Sequence, residues 1–112
     1  MNKRIRKKKG LSKIRKEELW NLDCTIIKFI LPRLQKFKQL LKDNKSVHSY
    51  PANLKNMKEW IDIIDKMIWS FQFALDIYEL NYSSEYRTSN KNWNKYKQGM
   101  NLFVEYLMNL WD

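Results

Sequence analysis

The residues Met57, Trp60, Ile64, Met67, Phe71, Ala74 and Tyr78 recur at alternating steps of three and four. At 3.6 residues per turn, that spacing lays all of them along one side of an α-helix. A strand would throw successive members onto opposite faces, so the stretch cannot be half-buried β structure. Ile61, Ile63, Ile68, Trp69 and Leu75 widen the stripe beyond the seam of a two-stranded coiled coil. So broad an apolar face is expected to pack on two neighbours.

Two further segments supply them. Trp93, Tyr96, Met100, Phe103, Leu107 and Leu110 repeat the alternation, with Leu102, Tyr106 and Trp111 beside it. Upstream, Trp20, Ile27, Ile30, Leu34, Phe37 and Leu41 keep the same phase, with Asp23 in the slot between Trp20 and Ile27. Asn21 or Asp23 is the expected N-cap of this helix, which runs to about Lys42. A short helical turn from Ser12 precedes it. The stretch "IIKFILPRL" places Pro32 inside the helix, where proline lacks an amide hydrogen and crowds the Lys28 carbonyl. The apolar phase passes Pro32 without a reset, which predicts a bend in one helix; the alternative is a new helix opening at Pro32. "DNKSVHSYPAN" and "SSEYRTSNKN" are polar connections, and Asn53 is the expected cap of the middle helix. With two glycines and two prolines in 112 residues, a β-rich fold would lack turns. The expectation is an all-α fold, a three-helix antiparallel (up-down-up) bundle over residues 12–112, its first helix bent at Pro32.

The net charge of +10 is not spread evenly. Lys3, Arg4, Arg6, Lys7, Lys8, Lys9, Lys13, Arg15 and Lys16 crowd the first 16 residues, which hold no acid. The remainder carries 13 basic and 12 acidic side chains and is close to neutral. Residues 1–11 are therefore expected to be a flexible basic arm, too poor in apolar content to order itself. Such an arm is drawn to phosphate and releases counterions on binding, which makes nucleic acid its expected, non-specific partner. No aromatic residue is interleaved for base stacking. No apolar run reaches the roughly 18 to 20 residues of a membrane span, and no secretory signal is readable. The single cysteine, Cys24, suits a reducing compartment.

Chemistry-bearing groups are sparse. Asp23 on an apolar stripe needs partners: the amide of Cys24, Thr25 or Ile26, or a donor from Trp93 or Tyr96. Arg33, counted outward from the first connection, is expected to form a structural ion pair with Asp65. Glu59 and Asp62 in "EWID" stand one turn apart, as in the magnesium clusters of all-helical nucleotide pyrophosphohydrolases, but no second cluster accompanies them. His48 is the only histidine, and no zinc spacing, catalytic triad or phosphate-cradling glycine loop is present. No cofactor or metal is expected. Tyr50, Tyr82, Tyr86 and Trp111 fall in loops or at the end of the chain, where aromatics serve interfaces; a two-fold homodimer is the simplest of these.

The order "LWNLDCTIIKFILPRLQKF", "YPANL", "EWIDIIDKMIWSF" and "GMNLFVEYLMNLW" resembles a family of small uncharacterised proteins encoded by phages and prophages of low-GC bacteria, from about Glu18 to Trp111. The resemblance implies a location in the cytoplasm of the bacterial host and work by binding. The expected function is thus a non-enzymatic phage-type binding protein, its bundle recognising a partner and its arm contacting nucleic acid. A protein-protein module or inhibitor of a host or defence factor is the alternative, and a metal-dependent nucleotide pyrophosphohydrolase the remote one.

Overall fold

The computed structural model describes residues 11–43, 50–80 and 90–111. Regular structure among them is helical, with no strand. A short helix α1 (Glu17–Trp20) precedes three long ones, α2 (Leu22–Asp43), α3 (Met57–Leu80) and α4 (Asn90–Glu105). A 3-10 turn, Leu107–Asn109, follows.

Helix α2 runs unbroken through Pro32, so no new helix opens there. Leu31 and Leu34, either side of the proline, are both buried, and their packing holds the helical path that the ring opposes. Arg33 adds to this locally. Its Nη1 donates to the Phe29 carbonyl oxygen at 2.8 Å, bringing a side-chain donor into the turn that proline weakens. At the other end of the first connection, α3 begins with a reciprocal cap. The Glu59 amide donates to Asn56 Oδ1 at 2.9 Å, and the Lys55 amide donates to Glu59 Oε2 at 2.8 Å. Asn56, not the expected Asn53, therefore caps α3. Asn53 instead donates through Nδ2 to the Tyr106 hydroxyl at 2.8 Å, fastening the connection to the far end of α4.

Helix α3 is the centre of the fold. Trp60, Ile64, Met67 and Phe71 are buried as their spacing predicts, and Ser70 and Phe73 join them. On one side the Phe37 ring meets Trp60 edge-on at 6.5 Å while Lys28 pairs with Glu79 at 3.5 Å, so α2 and α3 run antiparallel. On the other side Trp60 meets Tyr106 at 5.5 Å and Ser70 reaches Tyr96, so α3 and α4 do too. The backbones of α2 and α4 pack along α3 and scarcely approach each other.

Two expected seams hold in part: Leu34 and Leu41 are buried and Ile27, Ile30 and Phe37 pack against the core, as do Met100 and Phe103 on α4 and Leu110 beyond it. On α2 the buried residues are Cys24, Leu31, Leu34 and Leu41, whereas Trp20 and Asp23 are exposed. The helix is interrupted at Asn21 (φ −129°, ψ 58°), so Trp20 belongs to α1 and does not share the phase of Ile27. On α4 the buried positions are Gly99 and Tyr106, with Met100 and Phe103 partly covered and Leu107 half exposed. The α-helix stops at Glu105 and tightens into the 3-10 turn, which takes Leu107 out of the expected phase.

Gly99 sets how closely α4 packs on α3. A Cβ there would lie 1.8 Å from Ser70 Oγ and 2.3 Å from the Lys66 carbonyl oxygen. Only glycine lets α4 come this close to α3, and the approach brings the buried Ser70 hydroxyl within 2.9 Å of the Tyr96 carbonyl, to which it donates. We expect Gly99→Ala to cost about 2 to 3 kcal/mol by wedging the helices apart, and Ser70→Ala about 1 kcal/mol. Because the Lys66 carbonyl is backbone, adding Ser70→Ala should not rescue Gly99→Ala. Urea denaturation of the three variants checks this; a wild-type midpoint for Gly99→Ala would refute the close crossing.

Candidate functional site

The divide between α2 and α4 opens into two clefts. One is an apolar groove of about 300 Å³, lined by Phe29, Arg33, Leu34 and Phe37 of α2 and by Phe103 and Leu107 near the end of α4. Phe29 is 58% exposed and Leu107 50%. Ile26 and Leu22 continue the exposed stripe along α2 at helical spacing, and Val104, Met108 and Trp111 are exposed at the end of α4. Scattered exposed apolar side chains need no explanation; Phe29 and Leu107 differ in that both line the groove. The Arg33 guanidinium lies 3.8 Å from the Phe29 ring centroid, a cation–π contact that props the ring at the groove's edge. The expected ion pair between Arg33 and Asp65 is not formed. Asp65 pairs with Lys38, because the helix turn carries Arg33 toward Phe29 and away from α3.

The other cleft, of about 400 Å³, lies where α2 begins, α3 ends and α4 begins. Asp23 and Ile27 come from α2, Phe73 and Tyr78 from α3, Trp93 and Tyr96 from α4. The Tyr96 ring stands 5.1 Å from Trp93 and 5.6 Å from Phe73, both tilted. Trp69 stacks on Phe73 at 5.2 Å, and Lys95 sits over Trp69. Asp23 Oδ1 accepts the Cys24 amide at 2.8 Å, one of the partners expected for it, yet the side chain still lines the cleft. Desolvation pushes the Tyr78 phenol above its ordinary pKa, and Cys24 and Asp23 add to the shift, so this group stays uncharged. The Cys24 side chain, and then Glu79 through its hydrogen bond and charge, hold the Lys28 ammonium above its usual value.

Other expected residues are placed as follows. Lys13, Arg15 and Lys16 are exposed just before α1, which is braced by the Arg15 amide donating to Glu18 Oε2 at 2.7 Å. Lys3, Arg4, Arg6, Lys7, Lys8, Lys9, His48, Tyr82 and Tyr86 lie outside the described residues. Tyr50 is partly exposed and donates to the Lys55 carbonyl at 3.2 Å; Trp111 is exposed. Glu59 is engaged in the cap of α3 and Asp62 is exposed. Among the described residues no three His, Cys, Asp or Glu side chains group to hold a metal, and no helix is long and apolar enough to cross a membrane. Sequence reasoning brought Asp23 together with Trp93 and Tyr96, and all three line this cleft; it missed Phe73, which falls off the α3 seam, and Tyr78, which reads as an ordinary core position.

No protein-family model, curated protein or solved structure matches the chain.

A lysine with a raised folded-state pKa binds its proton more tightly folded than unfolded. Its contribution is complete below the ordinary value of 10.5 and is lost as pH rises through the higher folded value. Lys28→Met is therefore expected to lower stability at neutral pH slightly, with the gap from the parent closing as pH rises above the ordinary lysine value. Denaturant melts at several pH values check the sign.

Proposed function

We propose that this is a non-enzymatic, phage-type binding protein whose helical body takes a partner protein in the groove between α2 and α4. The observation that carries the reading is that groove, apolar throughout except for Arg33, with Phe29 and Leu107 half exposed on its rims. A groove between helices suits an amphipathic helix, which lays one apolar face between the rims. Arg33 fits a carboxylate on that helix, since a guanidinium has five donors and no carboxylate among the described residues pairs with it. In this reading the three long helices act as one up-down-up bundle, with α2 bent at Pro32, that is present before the partner arrives. The site works inside the bacterial host cell, where a lone thiol stays reduced.

The basic segment supports a second contact, with nucleic acid. Nine cationic side chains precede Glu17, and the described ones, Lys13, Arg15 and Lys16, are exposed. Phosphate contacts of this kind are sequence-independent and weaken as salt rises.

Each contact has its own test. Phe29→Glu is expected to leave the unfolding midpoint within a degree or two and to abolish capture of a partner from nuclease-treated host lysate; capture at wild-type level by Phe29→Glu would remove the groove from the reading. Deleting Met1–Gly10 is expected to leave the midpoint unchanged while abolishing salt-dependent retention on DNA or RNA. Equal retention by the shortened chain at low salt would sink the nucleic-acid role.

A further inference from the structure

The cleft between the start of α2, the end of α3 and the start of α4 combines two features, of which the partner groove has only the first. It is walled by aromatic rings from two helices, and it holds a carboxylate. Phe73 is buried at its base, Trp93 and Tyr78 are each more than a third exposed, and Tyr96 lies between Phe73 and Trp93. An aromatic face is the negative end of a quadrupole and attracts a cation within about 6 Å of the ring centroid. Rings in mutual contact along one wall of the cavity offer such a cation their exposed faces and edges, while their apolar bodies accept alkyl groups on the nitrogen.

The charges favour the same occupant. Lys28, nearby on α2, is neutralised by Glu79. Asp76 accepts a hydrogen bond from Gln72, and Lys95 lies over Trp69 and does not line the cleft. Tyr78 is uncharged. Asp23 is left as the charged side chain lining the cavity, with its hydrogen bond from the Cys24 amide and no cation beside it among the described residues. A carboxylate has room for about four hydrogen-bond or ionic contacts, so one backbone amide does not saturate it. At about 400 Å³ the space is within the range of small-molecule sites and far exceeds one ammonium.

We infer that this cleft is a binding site for a small organic cation bearing an N-alkylated ammonium, held against the wall formed by the rings of Trp93, Tyr96 and Phe73 with Asp23 as its counter-ion. A bare ammonium or metal ion would lose more hydration than one carboxylate returns, and an anion would meet Asp23. An alkylated ammonium is weakly hydrated, and its methyl groups pack on the rings. The site is separate from the partner groove, so failure of either reading leaves the other standing.

The test is titration of the full-length protein with tetramethylammonium and with choline at about 150 mM salt, where screening limits long-range repulsion from the basic segment. The indole N–H resonances report binding, and the uncharged isostere 3,3-dimethyl-1-butanol is the control. Saturable shifts are expected for both cations, with the isostere at least about fivefold weaker. Asp23→Asn, which keeps an oxygen for the Cys24 amide, should weaken the cations about fivefold or more without changing the isostere. Trp93→Leu should weaken them further, and Trp93→Phe should restore most of the binding. Circular dichroism establishes that each variant is folded. No saturable shift with either cation, equal binding of the isostere, or unchanged affinity in both Asp23→Asn and Trp93→Leu would each overturn the assignment.

Discussion

The crossing of α4 over α3 at Ser70 and Gly99 constrains the rest of the molecule. At that point one helix has no side chain and the other a small, fully buried one, so the Ser70 hydroxyl meets an α4 backbone carbonyl directly. A larger residue on either side would increase the separation and tilt the axes, because cores are packed too densely to absorb a methyl group locally. The crossing also decides which face of α4 turns inward. Phe103 then meets Phe71 edge-on at 5.0 Å, and Tyr106 reaches Trp60 and Asn53. Tyr96 meets Phe73 from the same face.

A close α3–α4 contact on one side and an α2–α3 contact on the other leave little room for α2 and α4 to meet. Their backbones stay apart, and the space between them is filled only where side chains reach across. Both clefts come from this geometry. Where the lining is aliphatic and aromatic with one guanidinium, the result is an apolar groove; where Asp23 meets the rings of α3 and α4, it is a polar-tipped aromatic pocket. Neither lining set forms a continuous stripe in the chain. Each joins residues of α2 and α4 more than 60 positions apart in the chain, so the chemistry of the clefts is assembled by packing alone.

The legible parts of the fold were those set by local periodicity. The α3 seam from Trp60 to Phe71 is buried as its spacing requires, and α3 does serve two neighbours. The passage of α2 through Pro32 also follows from uninterrupted phase. Misreadings occurred where a non-apolar residue, or a boundary, set the register. Gly99 carries no hydrophobic signal, so its place in the contact was not readable; Met100 and Phe103 of the expected seam do pack on the core, whereas Leu107 is half exposed. Asn21 interrupts the helix between Trp20 and Ile27, so Trp20 was assigned to a core it does not enter. Asn53 and Asn56 are equivalent as cap candidates until Glu59 is seen to complete the cap with Asn56 and Lys55. Lys38, five residues beyond Arg33, is the partner of Asp65, a choice that depends on a rotation which residue counting does not resolve.

The sequence by itself determined that the chain is helical, where its long helices lie to within a few residues, and that its positive charge is concentrated ahead of Glu17, because helix periodicity and charge are properties of neighbours in the chain. Only the tertiary structure decided which faces meet, what Asp23 and Arg33 touch, and that two clefts remain open along the α2–α4 divide. Those outcomes depend on the distance and rotation at which helices cross, and here the distance was set by the steric absence of a side chain at Gly99, which apolar patterning cannot register.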